Sequence, residues 1–123
     1  VSERGVRAGL FGNELPDELV PKFGIIEKDA SDHFVRIIEK PSLEEAPSNL
    51  NNSSFYIFDK PIFELARTLP PNAARGEREV TDAINQYVKN GGKIAVGTVS
   101  GEYMECGSPE GWLHANNVVS GQQ

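Results

Sequence analysis

Along the chain, short β-branched runs give way to apolar stripes at helical spacing and then return. "FGIIEKD" (23–29) and "HFVRIIEK" (33–40), separated by "ASD" (30–32), predict a hairpin, with Arg36 alternating outward from Val35 and Ile37. "PSLEEAPSN" (41–49) holds two prolines and an Asn and cannot join a ladder, so it reads as a loop. "SSFYIF" (53–58) is aromatic and β-branched, hence a strand. Asp59 and Pro61 open a helix with Ile62, Leu65, Ala66 and Leu69 on one face. After the loop "PPNAARGE" (70–77), Val80, Ala83, Ile84, Tyr87 and Val88 form a second helical stripe, stopped by Gly91 and Gly92. "KIAVGTV" (93–99) and "EYMEC" (102–106) read as two more strands, paired around Ser100–Gly101. Ser108 as N-cap, Pro109 at the first helical position and Glu110 in the first turn open a last helix to about Val119. Residues 1–22 carry scattered Gly and Pro with weak periodicity, and read as an irregular or truncated lead-in; "AGLFG" (8–12) within them counts as a loop. The fold class is α/β: a mixed sheet flanked by helices.

Composition narrows the function classes. A chain of 123 residues, 38% hydrophobic, builds one domain or a piece of a larger one. The net charge of −6 and pI near 4.9 argue against nonspecific binding to nucleic acid or an anionic membrane. Specific cations must therefore capture any phosphate ligand. One cysteine, Cys106, forms no internal disulfide, which makes a reducing cytoplasm the default. No apolar run approaches the roughly 18–20 residues of a membrane span, and no signal peptide opens the chain.

In an open α/β sheet, ligands gather at strand ends and the loops leaving them. Two such ends carry charge that a core has no use for: Glu39-Lys40-Pro41 and Glu105-Cys106-Gly107-Ser108-Pro109. In the order "FGIIEKD", "VRIIEKP", "APSNL", "FYIFDKPIFELA", "GEREVTDAINQYVKNGGKIA" and "GEYMECGSPEGWLHANN", the chain resembles the later half of the sugar-1-phosphate nucleotidyltransferases, or nucleotide-sugar pyrophosphorylases. The likeness runs from about Phe23 to Asn117. "EKP" followed by "APSNL" leans toward the branch that uses UTP and glucose 1-phosphate.

The resemblance implies a partial Rossmann-like nucleotidyltransferase domain, with residues 1–123 its C-terminal, sugar-binding part. It implies transfer of a nucleotidyl group from an NTP to a sugar 1-phosphate with Mg²⁺ as cofactor. That chemistry asks mainly for positioning and charge neutralisation. By resemblance, Glu39 accepts from sugar hydroxyls and Lys40 meets the sugar's phosphate as the catalytic cation. Gly24 lets the backbone approach the sugar, Tyr56 lines the pocket, Glu77 has a weaker pocket role, and Glu105 binds the metal. Two positions depart from the family pattern: Glu105 stands where an Asp is usual, and Ser54 where Gly is favoured before the strand's aromatic. The family's glycine-rich G-x-G-T-R nucleotide loop has no counterpart in residues 1–123, so the chain alone is expected to be inactive. The alternative is a catalytically silent module of the same type, which senses nucleotide sugars or binds a protein. A half-domain would also expose a bare sheet edge, so a homo-oligomer or a preceding N-terminal half is expected.

The remaining chemistry-bearing residues have plainer expected roles. Cys106 is a small buried filler, Trp112 packs the last helix on the sheet, and Tyr87 and Tyr103 are core or rim residues. Asp82 is structural near a helix start. His33 and His114 make neither a triad nor a metal spacing.

Overall fold

The computed structural model describes residues 6–74 and 76–121. Its strands are β1 (Gly9–Glu14), β2 (Gly24–Lys28), β3 (Phe34–Glu39), β4 (Leu50–Ile57) and β5 (Ala95–Thr98). Its helices are α1 (Lys60–Thr68), α2 (Val80–Lys89) and α3 (Pro109–Val119), with a 3-10 segment over Asp17–Lys22. The strands form one mixed sheet in the order β3-β2-β4-β1-β5, in which only the β1–β5 pairing is parallel.

The β2–β3 hairpin forms where the alternation predicts it. The Asp29 carboxylate accepts the Ser31 amide at 2.8 Å and the His33 amide at 3.0 Å, an Asx-type turn. The His33 amide chiefly holds the Asp29 acid below the ordinary carboxylate value. Arg36 faces outward and pairs with Glu27 on the neighbouring strand.

Strand alternation separates two cores. On one face Leu10, Ile26, Leu50, Ile94 and Val96 pack under Ile62 of α1 and Ala83 and Ile84 of α2. On the other, Ile25 packs with Leu15 and Val20 of the segment after β1. Each fully buried aliphatic contributes about 1.5–3 kcal/mol, so the helix-covered face dominates the stability. Asp59 caps α1 through the Lys60 amide at 2.7 Å, and Ser108 caps α3 through the Gly111 amide at 3.0 Å.

Four expectations are corrected. The lead-in is not irregular over Gly9–Lys22: "AGLFG" runs into β1, an interior strand of the sheet; residues 1–5 lie outside the described ones. "EYMEC" forms no strand, so no hairpin follows β5. Cys106 is exposed rather than buried. Trp112 is 58% exposed and α3 buries none of its residues, so this helix does not cover the sheet.

β4 contains a bulge. Phe11 pairs with Phe55, yet the next residue, Gly12, pairs with Asn52, which leaves Ser53 and Ser54 without ladder partners. Ser54 has φ 56°, in the left-handed region that costs an L-residue about 1–2 kcal/mol. This is the position where the resemblance expects Gly. Ser54→Gly should therefore stabilise the fold by about 0.5 kcal/mol after the extra entropy of an unfolded glycine is subtracted. Chemical denaturation would check this; a lower midpoint at unchanged slope would count against strain at Ser54.

Candidate functional site

The site assembles at the end of β3 (Phe34–Glu39). Gly24 and Glu39 face each other across the β2–β3 ladder, and the Lys40 amide donates to the Phe23 carbonyl at 3.0 Å. A methyl group on Gly24 would come within 2.9 Å of Glu39 Oε2, so the bare glycine leaves room for that carboxylate to lie across β2. The space at Gly24 is thus filled by Glu39, a refinement of its expected role as an open approach to the sugar.

Lys40 turns the chain. It has φ 47°, the left-handed region, although Pro41 follows and disfavours such a backbone. Pro41 is buried while Lys40 is exposed, so the proline is anchored beneath and the lysine is displayed at the rim. Backbone strain of this kind costs about 1–3 kcal/mol and persists only where the surroundings enforce it. Here the Phe23 carbonyl and the buried ring enforce it.

Tyr56 lies on β4 (Leu50–Ile57) on the helix-covered face, paired with Leu10 and stacked on Phe58 at 5.0 Å between ring centroids, and no hydrogen bond or ring contact among the described residues joins it to Gly24, Glu39 or Lys40. Its hydroxyl accepts from Asn52 Nδ2 at 3.1 Å and lies 3.3 Å from Asn52 Oδ1. Asn52 also accepts the Ser54 amide at 3.2 Å, so one carboxamide fixes both the bulge and the tyrosine. The sequence offered no sign of this role, because the bulge that brings residues 52 and 56 together is not visible in the residue pattern.

The second charged end reaches the first through an aromatic contact. Tyr103 packs edge-on against Phe23, with ring centroids 5.6 Å apart, beside Gly24 and the carbonyl that holds Lys40. Glu105 stands two residues farther on. A Cβ on Gly111 would overlap the Glu105 carbonyl, and one on Gly107 would overlap its carboxylate, so the start of α3 (Pro109–Val119) is shaped around this glutamate. Glu105 is itself exposed.

Gly24, Glu39 and Lys40 are therefore brought together, and the Glu105 segment is docked beside them through Tyr103. Glu77 is not joined to them. It lies exposed in the loop between α1 and α2, its carbonyl accepting the Asn72 amide at 2.6 Å, and no hydrogen bond among the described residues links it to the strand-end group. The structure also has a cavity of about 500 Å³ between α1 and α2, lined by Pro61, Leu65, Tyr87 and Gly92, which contains none of the expected site residues.

Among the described residues no group of three or more His, Cys, Asp or Glu side chains could hold a metal ion. Mg²⁺ is commonly held by one or two carboxylates together with substrate phosphates and water. A single exposed carboxylate, Glu105, fits that mode and does not fit an all-protein cage. No helix of the described residues is long and apolar enough to cross a membrane.

A model of the nucleotidyl transferase family matches residues 3–121. The chain is 36% identical over 108 residues to a UTP–glucose-1-phosphate uridylyltransferase of Pseudomonas aeruginosa, covering 85% of this chain and 38% of that protein. It is 36% identical over 95 residues to the bifunctional protein GlmU of Methanococcus maripaludis, covering 77% of this chain and 23% of that one. Among solved structures, a UDP-glucose pyrophosphorylase complexed with UDP-glucose superposes with a TM-score of 0.74 at 29% identity, over 94% of this chain and 45% of the other. A UTP-bound UGPase from Acinetobacter baumannii gives a TM-score of 0.79 at 25% identity, over 99% and 42%. The chain thus spans less than half the length of each of these proteins.

Proposed function

Because the chain belongs to the nucleotidyl transferase family, we propose that it supplies the sugar-phosphate-binding part of an enzyme that joins UTP and glucose 1-phosphate into UDP-glucose and pyrophosphate. One observation carries the reading. The chain holds Lys40 in a strained turn at a strand end, beside a glycine covered by a carboxylate, and docks a second acidic segment next to it.

The chemistry follows from that arrangement. A phosphate oxygen of the sugar phosphate attacks the α-phosphorus of the triphosphate; the bond from that phosphorus to the bridging oxygen breaks, and pyrophosphate carries the charge away. Two polyanions must meet beside a chain that itself carries a charge of −6, so an ammonium at the meeting point offsets part of their repulsion. Lys40 provides that cation and orients the sugar's phosphate. Glu39 accepts from sugar hydroxyls, and Tyr56, held by Asn52, forms a wall. Magnesium, when bound, would neutralise phosphate oxygens, with Glu105 as one of its oxygen ligands. Glu77 would act only from a loop that moves toward the sugar.

We also propose that the nucleotide-binding part lies outside residues 1–123. The solved relatives bound to UDP-glucose and UTP, and the uridylyltransferase name of the Pseudomonas protein, support a catalytic over a silent role. The test has two arms. Titrating the 123-residue chain with UDP-glucose and magnesium should shift the amide resonances of Gly24, Glu39, Lys40 and Tyr56; unshifted resonances at saturating ligand would refute the site. Incubating the same chain with UTP, glucose 1-phosphate and magnesium should release no pyrophosphate above background. Clear turnover would refute the division of labour.

A further inference from the structure

We infer that Asn13 is a positioning residue that fixes where the Glu105 segment stands. Asn13 lies near the end of β1 (Gly9–Glu14) and is only 6% exposed. Its Nδ2 donates to the carbonyls of Val99 at 3.2 Å and Gly101 at 3.4 Å, just beyond β5 (Ala95–Thr98). Its Oδ1 accepts the Ser53 hydroxyl at 2.8 Å. One carboxamide therefore ties the β4 bulge to the turn that launches residues 102–107.

The tie matters because residues 102–107 belong to no regular element. They join no strand, α3 buries nothing, and Cys106 and Glu105 are exposed. Besides the Val99 amide, which donates to the Gly12 carbonyl at 2.8 Å, the turn is gripped by Asn13 at its start. Farther on, Tyr103 against Phe23, the surface pair of His114 with Glu102 and the close fit of Gly107 and Gly111 around Glu105 add to its anchorage. Buried side-chain hydrogen bonds to backbone are worth about 1 kcal/mol each and set a register that a single aromatic contact does not. No hydrogen bond among the described residues joins Asn13 to Lys40 or Glu105. Asn13 acts by limiting how far the Glu105 segment swings from the Phe23–Gly24 rim, and it shares Ser53 with the strand that carries Tyr56.

The inference deepens the proposed function and rests on it for the role of Glu105; the tether itself does not. Asn13→Ala in the 123-residue chain should speed hydrogen exchange of the Val99 amide, whose bond to the Gly12 carbonyl holds the start of the turn, by about fivefold to thirtyfold, the loss expected from one to two such bonds. Exchange in β2 and β3 should stay as in the parent. The gain in glucose 1-phosphate affinity on adding magnesium should shrink by a similar factor, while affinity without magnesium stays within about twofold. Ser53→Ala, which keeps the bonds to Val99 and Gly101, should give a smaller change in the same direction and guards against a misfolded Asn13 variant. Unchanged exchange at Val99, or an equal rise across all strands in both variants, would overturn the inference. If the parent chain binds no glucose 1-phosphate under either condition, the proposed function fails, and the exchange pattern still decides whether Asn13 is the tether.

Discussion

Lys40→Ala is expected to weaken glucose 1-phosphate binding by about tenfold to fiftyfold at low salt. A charge-assisted hydrogen bond to phosphate is worth about 1.5–3 kcal/mol, and the exposed position of Lys40 places it toward the lower end. The difference should narrow as salt rises, because an exposed ammonium is screened. Stability and binding separate through a second variant. Lys40 has φ 47°, so Lys40→Gly relieves backbone strain that alanine keeps. Both variants should lose the same affinity, but the glycine variant should unfold at higher denaturant than the alanine one. Calorimetric titration together with urea melts reads both quantities. Undiminished binding in either variant would remove Lys40 from the site. Equal midpoints for the two variants would show that the turn is not strained.

The parts of this fold that the residue pattern revealed are those whose causes are local. The β2–β3 hairpin follows from alternation and an Asx turn within a few residues, and the caps Asp59 and Ser108 act on amides one and three residues away. β1 escaped for the opposite reason. An interior strand is contacted on both faces, so Leu10 and Phe11 are adjacent rather than alternating with polar residues, and Gly9 and Gly12 erase the remaining pattern. "EYMEC" misled because its tyrosine and methionine look like strand residues. What decides a strand is a free partner edge, and β5 pairs with β1 on one side while His33 bridges Ala95 on the other. At the site, Gly24, Glu39 and Lys40 were legible because a hairpin makes them neighbours. The Asn13 tether was not, since it joins residues 86 and 88 positions apart.

Gly111→Ala should separate the Glu105 segment from the rim without unfolding the sheet. In isolation the change favours the helix: alanine within a helix is better than glycine by about 1 kcal/mol. Here the new methyl would occupy the place of the Glu105 carbonyl oxygen, a backbone atom that cannot rotate aside as a side chain would. Either the start of α3 or the chain at Glu105 must move. The chain is the more yielding of the two, because α3 is capped at Ser108 and residues 102–107 belong to no regular element. Since α3 buries none of its residues against the core, the sheet has little reason to respond, and the melting temperature should shift by no more than about 2 °C. Binding should respond strongly. If Glu105 contributes an oxygen to magnesium, then moving its backbone should cut the magnesium-dependent gain in glucose 1-phosphate affinity by about tenfold, as expected when a buried or metal-directed contact worth about 1.4 kcal/mol is lost. Magnesium-free affinity, which depends on Lys40 and Glu39, should remain. This reaches the same segment from its C-terminal side, whereas Asn13→Ala reaches it from the N-terminal side, so the two variants should share one binding signature. A Gly111 variant that keeps its full magnesium response would mean that Glu105 does not act on the metal, whatever the tether does.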